Sequence, residues 1–263
     1  MHAWPTDEIA TSTGTLRFEP VTSRAALLVL DGMESSYIDL DHPNHLEFEY
    51  MQHMSIVTDV TLGAGTRLRA LHLGGAGCAL ARAWAAERPG SAQTVIEWDA
   101  LLAELAREYC DIPRAPAVKI RVAEARASLE RFPPGRWDVI VRDTFANAAV
   151  PEHMRTIQVA RAASRALIEE GLYLVNLTDH PPLTQARREV ATLREVFAHV
   201  TLISESGILR GRRHGNVVLA ASNRPLNDAL IARRCRALPL PVAVLSGSRL
   251  ASFGASAQPF VDP

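Results

Sequence analysis

From residue 68 onward the sequence alternates short apolar segments with longer helical patterns, and this alternation limits the fold more than any other feature. Short apolar runs bounded by turn residues are typical of buried strands, and apolar residues three and four apart are typical of helices. The predicted helices are 78–87, 100–109, 154–168 and 183–198. The predicted strands are 68–73, 94–97, 118–122, 137–141, 171–177, 200–204 and 216–221. Strands separated by helices pair in parallel, so the pattern predicts an α/β fold with a seven-stranded sheet whose last pair is antiparallel.

The first 43 residues have a different pattern. Residues 15–19 alternate, residues 26–30 form a short apolar run, and the Asp31-Gly32 pair that follows is a turn signal, which together predict β-hairpins. A helix is predicted over 45–60 with Asn44 as its cap. We therefore predict a β-strand domain (1–43), an α/β domain (44–236) and a Pro/Ser/Gly/Ala-rich tail (237–263) that lies over the surface.

Charge and composition exclude several classes of protein. Lys and Arg total 28 and Asp and Glu total 29, so the net charge of −1 gives no global basic field for nucleic acid or an anionic membrane. Cys78, Cys110 and Cys235 are far apart in sequence, which favours reduced thiols over a metal site or disulfides. No apolar run approaches the roughly 20 residues of a membrane span, and no signal pattern begins the chain. These features predict a soluble cytoplasmic protein without a bound metal.

A glycine turn follows the strand 68–73. Gly74, Gly75 and Gly77 surround Ala76, and Glu97 ends the next strand 22 residues after Gly75. Glycines let a ligand approach the backbone at a helix N-terminus, and an acid at that spacing accepts ribose hydroxyls. Because the turn does not match G-x-G-x-x-G, the pattern favours an adenosine ligand other than NAD. The alternative is a tight turn with a surface acid.

Two more acids follow predicted strands. Glu124 comes after 118–122 and Asp143 comes after 137–141, so both belong at the crevice formed by the carboxyl ends of the strands. Glu124 is a candidate to accept an adenine amino hydrogen, with capping of the next helix as the alternative. Asp143 is a candidate to orient or deprotonate an amine, with a loop-capping role as the alternative.

Six segments in order carry a family resemblance: Leu30-Asp-Gly32, 46–50, 73–77, 96–99, 122–125 and 138–143. Over roughly residues 12–235 the chain resembles the spermidine synthase (polyamine aminopropyltransferase) family, in particular its actinobacterial spermidine-synthase-like branch. The resemblance implies a class I S-adenosylmethionine methyltransferase-like (Rossmann-like) domain behind a small N-terminal β-hairpin domain. It also implies a homodimer or homotetramer.

The resemblance also implies a transferase of polyamine biosynthesis. Members of the family move an aminopropyl group from decarboxylated S-adenosylmethionine to a diamine such as putrescine and release methylthioadenosine, without a metal. The positions that match the family's site residues are Gly74, Gly75 and Gly77 for the donor turn, Glu97 for ribose, Glu124 with the adjacent Ala125 for adenine, Asp143 for the catalytic acid and Tyr50 for the substrate channel.

Three departures concern the amine end of the site. Gly77 stands where the family has the Asp that holds the donor's free amine, Ala146 where it has a second acid, and Met51 where it has His or Gln. A dicationic amine needs carboxylates in place of lost water, so these changes predict altered amine specificity. Three hypotheses stay open: an aminopropyltransferase with another acceptor, a methyltransferase that uses S-adenosylmethionine, and a nucleoside-binding protein without turnover.

Overall fold

The structure is a computed structural model that describes residues 3–146 and 149–263; residues 1–2 of the predicted N-terminal domain lie outside it. Its N-terminal part is an antiparallel sheet with strand order β1-β2-β3-β4. The strands are β1 (Ile9–Ala10), β2 (Thr15–Thr22), β3 (Ala25–Leu30) and β4 (Met33–Asp39). The turn between β3 and β4 is the predicted Asp31-Gly32 pair, in which both residues have positive φ, at 48° and 78°.

The rest of the chain alternates strands and helices as the sequence pattern predicts. The strands are β5 (Arg69–Leu73), β6 (Ala92–Glu97), β7 (Val118–Val122), β8 (Trp137–Arg142), β9 (Leu167–Asp179), β10 (His199–Glu205), β11 (Gly215–Ser222) and β12 (Val242–Leu245). The helices are α1 (Glu49–Leu62), α2 (Ala79–Glu87), α3 (Ala100–Tyr109), α4 (Ala125–Arg131), α5 (Ile157–Ala166), α6 (Thr184–Arg194), α7 (Ser206–Leu209), α8 (Asp228–Cys235) and α9 (Gly247–Gly254).

The second sheet has the strand order β12-β10-β11-β9-β8-β5-β6-β7. The pairs from β9 to β7 are parallel, and those between β9, β11, β10 and β12 are antiparallel. This order confirms the α/β methyltransferase-like class and the antiparallel last pair. The predicted strand number was wrong, because the described residues place eight strands in this sheet. The eighth is β12, from the segment predicted to be a surface tail. Its apolar residues pair with β10, whose edge would otherwise expose unpaired backbone groups.

Successive residues of the central strands pack into opposite layers, as the two-residue repeat of a strand requires. In β8, Val139 and Val141 belong to the layer that contains α1, α2 and the N-terminal sheet, whereas Ile140 belongs to the layer that contains α5 and α6. The sheet is therefore covered on both faces. Because both faces are closed, a ligand reaches the strands at an edge of the sheet, and the carboxyl edge is where the connecting loops open.

Two helices begin later than the sequence pattern predicts. The predicted start of the first helix at residue 45 was wrong: α1 begins at Glu49, and Asn44 is not its cap. The backbone N–H of His45 donates to the His42 carbonyl, so residues 42–45 form a turn, and the Gln52 side chain donates to the Leu46 carbonyl in the segment that leads into α1. The helix predicted over 154–168 is α5, which begins only at Ile157 and ends at Ala166, because residues 167–168 already belong to β9. No helix among the described residues is long and apolar enough to cross a membrane.

Candidate active site

The glycine turn between β5 and α2 lies at the carboxyl edge of the sheet. Gly74 has a φ of 89°, and a Cβ at this position would lie 2.3 Å from the Asp143 carbonyl oxygen. A Cβ on Gly75 would lie 2.6 Å from Cγ1 of Val95. Both positions therefore need glycine, the first because of its conformation and the close loop, the second because of packing. The turn and the loop that follows β8 are in direct contact.

The Glu97 carboxylate braces this turn from the end of β6. Its Oε2 accepts hydrogen bonds from the backbone N–H groups of Gly75 at 3.0 Å and Ala76 at 3.2 Å. Its Oε1 accepts one from the N–H of Asp99 at 3.0 Å. A carboxylate has about four acceptor positions, so the buried Glu97 side chain keeps about one of them for a ligand hydroxyl. Glu97 therefore holds the turn in place and still has an acceptor position for a ligand hydroxyl.

Asp143 holds two side chains from other elements of the fold. The Tyr50 hydroxyl of α1 donates to Asp143 Oδ2 at 2.9 Å, and Asn176 Nδ2 of β9 donates to Oδ1 at 3.0 Å. Burial raises the pKa of Asp143, and the hydrogen bonds from Asn176 and Tyr50, with the Arg142 charge, oppose this rise. Burial and the Asp143 charge keep the pKa of Tyr50 well above its usual value, so the phenol stays a donor. Such a carboxylate is suited to take a proton from an amine.

Asn176 was not predicted from the sequence. Its side chain is 1% exposed, and its Oδ1 has no hydrogen-bond partner in the described part of the chain. The available signal was its place near the end of β9, the strand beside β8, since neighbouring parallel strands bring their carboxyl ends together. A single Asn in an apolar strand does not by itself indicate which loop residue it will meet.

A buried ion network supports the strand end that carries Asp143. The Glu189 Oε1 of α6 accepts from Arg142 Nη1 and from Arg155 Nε, both at 2.9 Å. Arg142 also donates to the Met154 carbonyl at 3.1 Å. The side chains of Arg142 and Glu189 are each 1% exposed, so their charges depend on each other in place of water. The network fixes the end of β8 directly before Asp143.

The N-terminal sheet packs against the end of the glycine turn. The backbone N–H of Gly77 donates to the buried Ser36 Oγ of β4 at 3.1 Å. A Cβ on Gly77 would lie 2.9 Å from Ser36 Cβ and 3.0 Å from Leu28 Cδ2. This position therefore has no room for a side chain unless the N-terminal sheet moves. Ser36 was not singled out from the sequence because its contact with the turn depends on how the two sheets pack.

The same sheet is tied to the start of α3. Asp99 accepts from the backbone N–H groups of Ser12 and Thr13, both at 2.9 Å, and caps α3 through the N–H of Leu102 at 2.8 Å. Burial would raise the pKa of Asp99, but these hydrogen bonds hold it well below its usual range. The carboxylate therefore stays ionised and fixes the N-terminal segment next to the Glu97 loop.

Glu124 lies at the same edge, where it caps α4. Its two oxygens accept from the N–H groups of Arg126 at 2.9 Å and Ala127 at 2.6 Å, as the capping alternative requires. Burial opposes ionisation, but these bonds and His153 lower the pKa of Glu124 below its usual value. Ala125 is the first residue of α4. The adenine role of Glu124 and Ala125 stays a prediction.

Two exposed apolar side chains near Glu97 were also missed. Trp98 is 58% exposed and follows β6, and Val122 is 55% exposed and pairs in register with Glu97. The exposed indole of Trp98 differs from the other three tryptophans, Trp4, Trp84 and Trp137, which are buried. The sequence placed Trp98 next to Glu97 but gave no signal of its exposure.

The three histidines near the first helix, His42, His45 and His53, each have different surroundings. His42 pairs with Asp39 at 3.1 Å and His45 pairs with Glu47 at 3.0 Å. His53 is buried, and burial lowers its pKa to about 4. Within residues 3–146 and 149–263, no group of three or more His, Cys, Asp or Glu side chains is arranged to hold a metal ion.

The fold and this site define a class I methyltransferase-like protein with an additional N-terminal sheet. The chain is similar over 98% of its length to a probable spermidine synthase from Corynebacterium glutamicum, with 36% identity, a TM-score of 0.92 and 96% of that chain covered. The protein belongs to the spermidine synthase family, which confirms the resemblance seen in the sequence. A scan against protein-family models and a search of curated proteins gave no match.

More distant structures share the fold. A spermidine synthase from Thermotoga maritima is 17% identical, with a TM-score of 0.57 over 82% of this chain and 73% of its own. A spermidine synthase in complex with the transition-state analogue AdoDATO is 18% identical, with a TM-score of 0.60 over 82% of this chain and 74% of its own. Human methyltransferase-like protein 13 in complex with SAH is 19% identical, with a TM-score of 0.56 over 72% of this chain and 88% of its own.

Proposed function

We propose that the protein transfers an aminopropyl group from decarboxylated S-adenosylmethionine to a small amine other than putrescine. The observation that carries the proposal is the Asp143 carboxylate, with its raised pKa, between the Tyr50 hydroxyl and the Asn176 amide beside the glycine turn. Family membership supports the transfer chemistry, and the retained acid favours a catalyst over a nucleoside-binding scaffold.

The nucleoside half of the donor has a set of matching groups. The remaining acceptor position of Glu97 suits a ribose hydroxyl, and the backbone of the Gly74–Gly77 turn allows close approach. The exposed faces of Trp98 and Val122 suit a purine ring, with Glu124 and Ala125 at its amino edge.

The proposed reaction is a direct displacement at carbon. The lone pair of the acceptor nitrogen attacks the carbon attached to the sulfonium. A C–N bond forms, the C–S bond breaks, and its electron pair returns to sulfur, which gives methylthioadenosine. The proton released by nitrogen passes to Asp143. Because the sulfonium is already an activated leaving group, the main contributions of the protein are alignment and proton removal.

The altered amine specificity rests on three residues that carry no charge, one on the donor's amine and two on the acceptor side. Gly77, Met51 and Ala146 occupy the positions where the family has acidic or polar groups. Each hydrogen bond to a charged group contributes about 1.5–3 kcal/mol, so a dication that loses two such partners binds weakly. The packing of Gly77 against Ser36 and Leu28 leaves no space for the missing acid to be restored by mutation alone.

Methyl transfer from S-adenosylmethionine is the second candidate, and the same observation at Gly77 favours it. S-adenosylmethionine differs from its decarboxylated form by a carboxylate on the tail. An acid at position 77 would repel that carboxylate, and the glycine present here does not.

Calorimetric titration with decarboxylated S-adenosylmethionine, S-adenosylmethionine and methylthioadenosine tests the proposal. Tightest binding of the decarboxylated donor supports aminopropyl transfer, and tightest binding of S-adenosylmethionine supports methyl transfer. Failure of all three to bind contradicts both. The homodimer or homotetramer implied by the family stays a prediction, which light scattering of the purified protein can test.

A further inference from the structure

We propose that residues 258–262 form a strap that holds the crevice wall beside the adenine end of the donor in place, with Asp262 as the positioning residue. This inference rests on the proposed function. The Asp262 carboxylate forms a bidentate ion pair with Arg126 of α4, in which Oδ1 accepts from Nη1 at 2.8 Å and Oδ2 accepts from Nη2. The same Nη1 donates to the His153 carbonyl at 2.9 Å. One guanidinium group therefore joins the strap, α4 and the segment 152–154.

Arg126 joins α4 to the loop after β8 at the proposed adenine contact. Glu124 caps α4, and His153 belongs to the short 3-10 helix in which that loop ends. The Glu124 and His153 side chains pair at 3.3 Å, but they are 48% and 53% exposed, so this pair adds little by itself. The Arg126 and Asp262 side chains are only 19% and 28% exposed, and bidentate pairs are the stronger kind. The contact between α4 and the loop therefore depends mainly on Arg126, which Asp262 holds in position.

The strap itself is anchored on α5 and α6. Phe260 is 7% exposed, and its ring centroid lies 4.0 Å from Cζ of Arg155 and 3.7 Å from Cζ of Arg188. Its backbone N–H donates to Thr192 Oγ1 at 2.8 Å, and its carbonyl accepts from the N–H of Ile157 at 2.9 Å. That N–H opens α5, where the first turn offers it no acceptor within the helix. The strap therefore has a defined position before any ligand binds.

Removal of the Asp262 carboxylate should release the guanidinium towards its other partner. Arg126 Nε also donates to Glu130 at 2.8 Å, four residues further along the same helix. Without the anchor in the strap, Arg126 can follow Glu130 and leave the His153 carbonyl, so a smaller fraction of the protein has the wall in place. The apparent donor affinity falls in proportion to that fraction. The chemical step should not change, because Asp143 is held separately, from α1 and β9.

The test compares Asp262→Ala with the matched control Glu130→Ala. Each variant removes one carboxylate from Arg126, but only the first removes a tie to another part of the chain. In Asp262→Ala, methylthioadenosine should bind about fivefold more weakly and the KM for the sulfonium donor should rise by the same factor, while kcat stays within about twofold of wild type. Glu130→Ala should leave all three values within about twofold of wild type. Asp262→Asn, which keeps one acceptor oxygen without the charge, should give intermediate values.

Hydrogen exchange supplies a measurement that needs no ligand. The backbone amides of Arg155 and Ile157 should exchange about fivefold faster in Asp262→Ala than in wild type or in Glu130→Ala. Unchanged affinity in Asp262→Ala overturns the inference even if exchange or stability changes, because the strap would then be only structural. Equal weakening in Glu130→Ala also overturns it, because the charge on α4 would then set the affinity.

The inference and the proposed function fail in different ways. If the wild-type protein does not bind methylthioadenosine, the proposed function is wrong, and the donor role of the strap falls with it. If the wild-type protein binds methylthioadenosine and Asp262→Ala binds it equally well, the strap alone is refuted and the nucleoside site stands.

Discussion

Replacing Glu97 with Ala should reduce both the stability of the protein and its affinity for the donor nucleoside. The carboxylate accepts from the backbone N–H groups of Gly75, Ala76 and Asp99. An unpaired buried N–H costs about 1–3 kcal/mol, and the open crevice admits water to this site, so three of them at the low end total about 3 kcal/mol. For a protein of this size, that corresponds to a decrease in Tm of roughly 6–12 °C.

The effect on binding is separate. One acceptor position of Glu97 remains for a ribose hydroxyl, and loss of that charged hydrogen bond should weaken methylthioadenosine binding at least tenfold, about 1.4 kcal/mol. Urea denaturation gives the stability, and calorimetry well below the Tm of the variant gives the affinity. Glu195→Ala, which changes an exposed acid after α6, is the control and should alter neither quantity.

The two measurements distinguish the two roles of Glu97. A less stable variant with unchanged affinity would mean that the acid braces the turn without binding ribose. Unchanged stability would contradict the bracing role read from its three hydrogen bonds. Wild-type values for both would refute the reasoning altogether.

Further changes have equally specific outcomes. Glu189→Gln should lower the free energy of unfolding by about 3 kcal/mol, because Arg142 and Arg155 lose their shared charge; a loss below about 1 kcal/mol in urea denaturation would contradict this. Gly77→Ala should lower the free energy of unfolding by about 1–3 kcal/mol, since its Cβ would lie 2.9 Å from a side-chain atom of the N-terminal sheet. An unchanged Tm would show that the sheet can shift to accommodate the methyl group without loss of stability. Stability should fall as the pH drops from about 6.5 towards 4, because the unfolded chain protonates His53 before the folded protein does, and His53→Leu should reduce this slope in urea denaturation. Putrescine should react with kcat/KM below about 10⁴ M⁻¹s⁻¹ with the decarboxylated donor, and faster turnover would mean that other acids supply the missing charge.

The alternation of apolar strands and helices was enough to predict the fold class, because the parallel strands other than the edge strand β7 are largely buried and the connecting helices have an apolar side. The wrong predictions concern segments whose structure depends on tertiary contacts. Residues 242–245 were assigned to a tail because their neighbours are rich in Pro, Ser and Gly, but they pair with β10. Asn44 has the chemistry of a helix cap, yet it lies in a turn over 42–45, and α1 begins only at Glu49.

In the candidate site, too, some residues were predictable from their place in the sequence and others depend on tertiary contacts. Glu97 and Asp143 were predicted from their positions after strands, because parallel topology brings strand ends to one edge. Asn176 and Ser36 could not be identified in this way, since each acts through one contact with a residue distant in sequence.

Asp143→Asn tests the central claim most directly. The nucleoside contacts are assigned to Glu97 and Glu124, so methylthioadenosine affinity should stay within about twofold of wild type. An amide cannot take the proton of the acceptor, so turnover of the best amine should fall by about 10²–10⁴. The Asn side chain can still accept from Tyr50, and a flip of the Asn176 amide lets its Oδ1 accept from the new amide nitrogen, which keeps the structural change small. A variant that binds the nucleoside and transfers the group at the wild-type rate would show that Asp143 is a structural loop residue, and that the proposed mechanism is wrong.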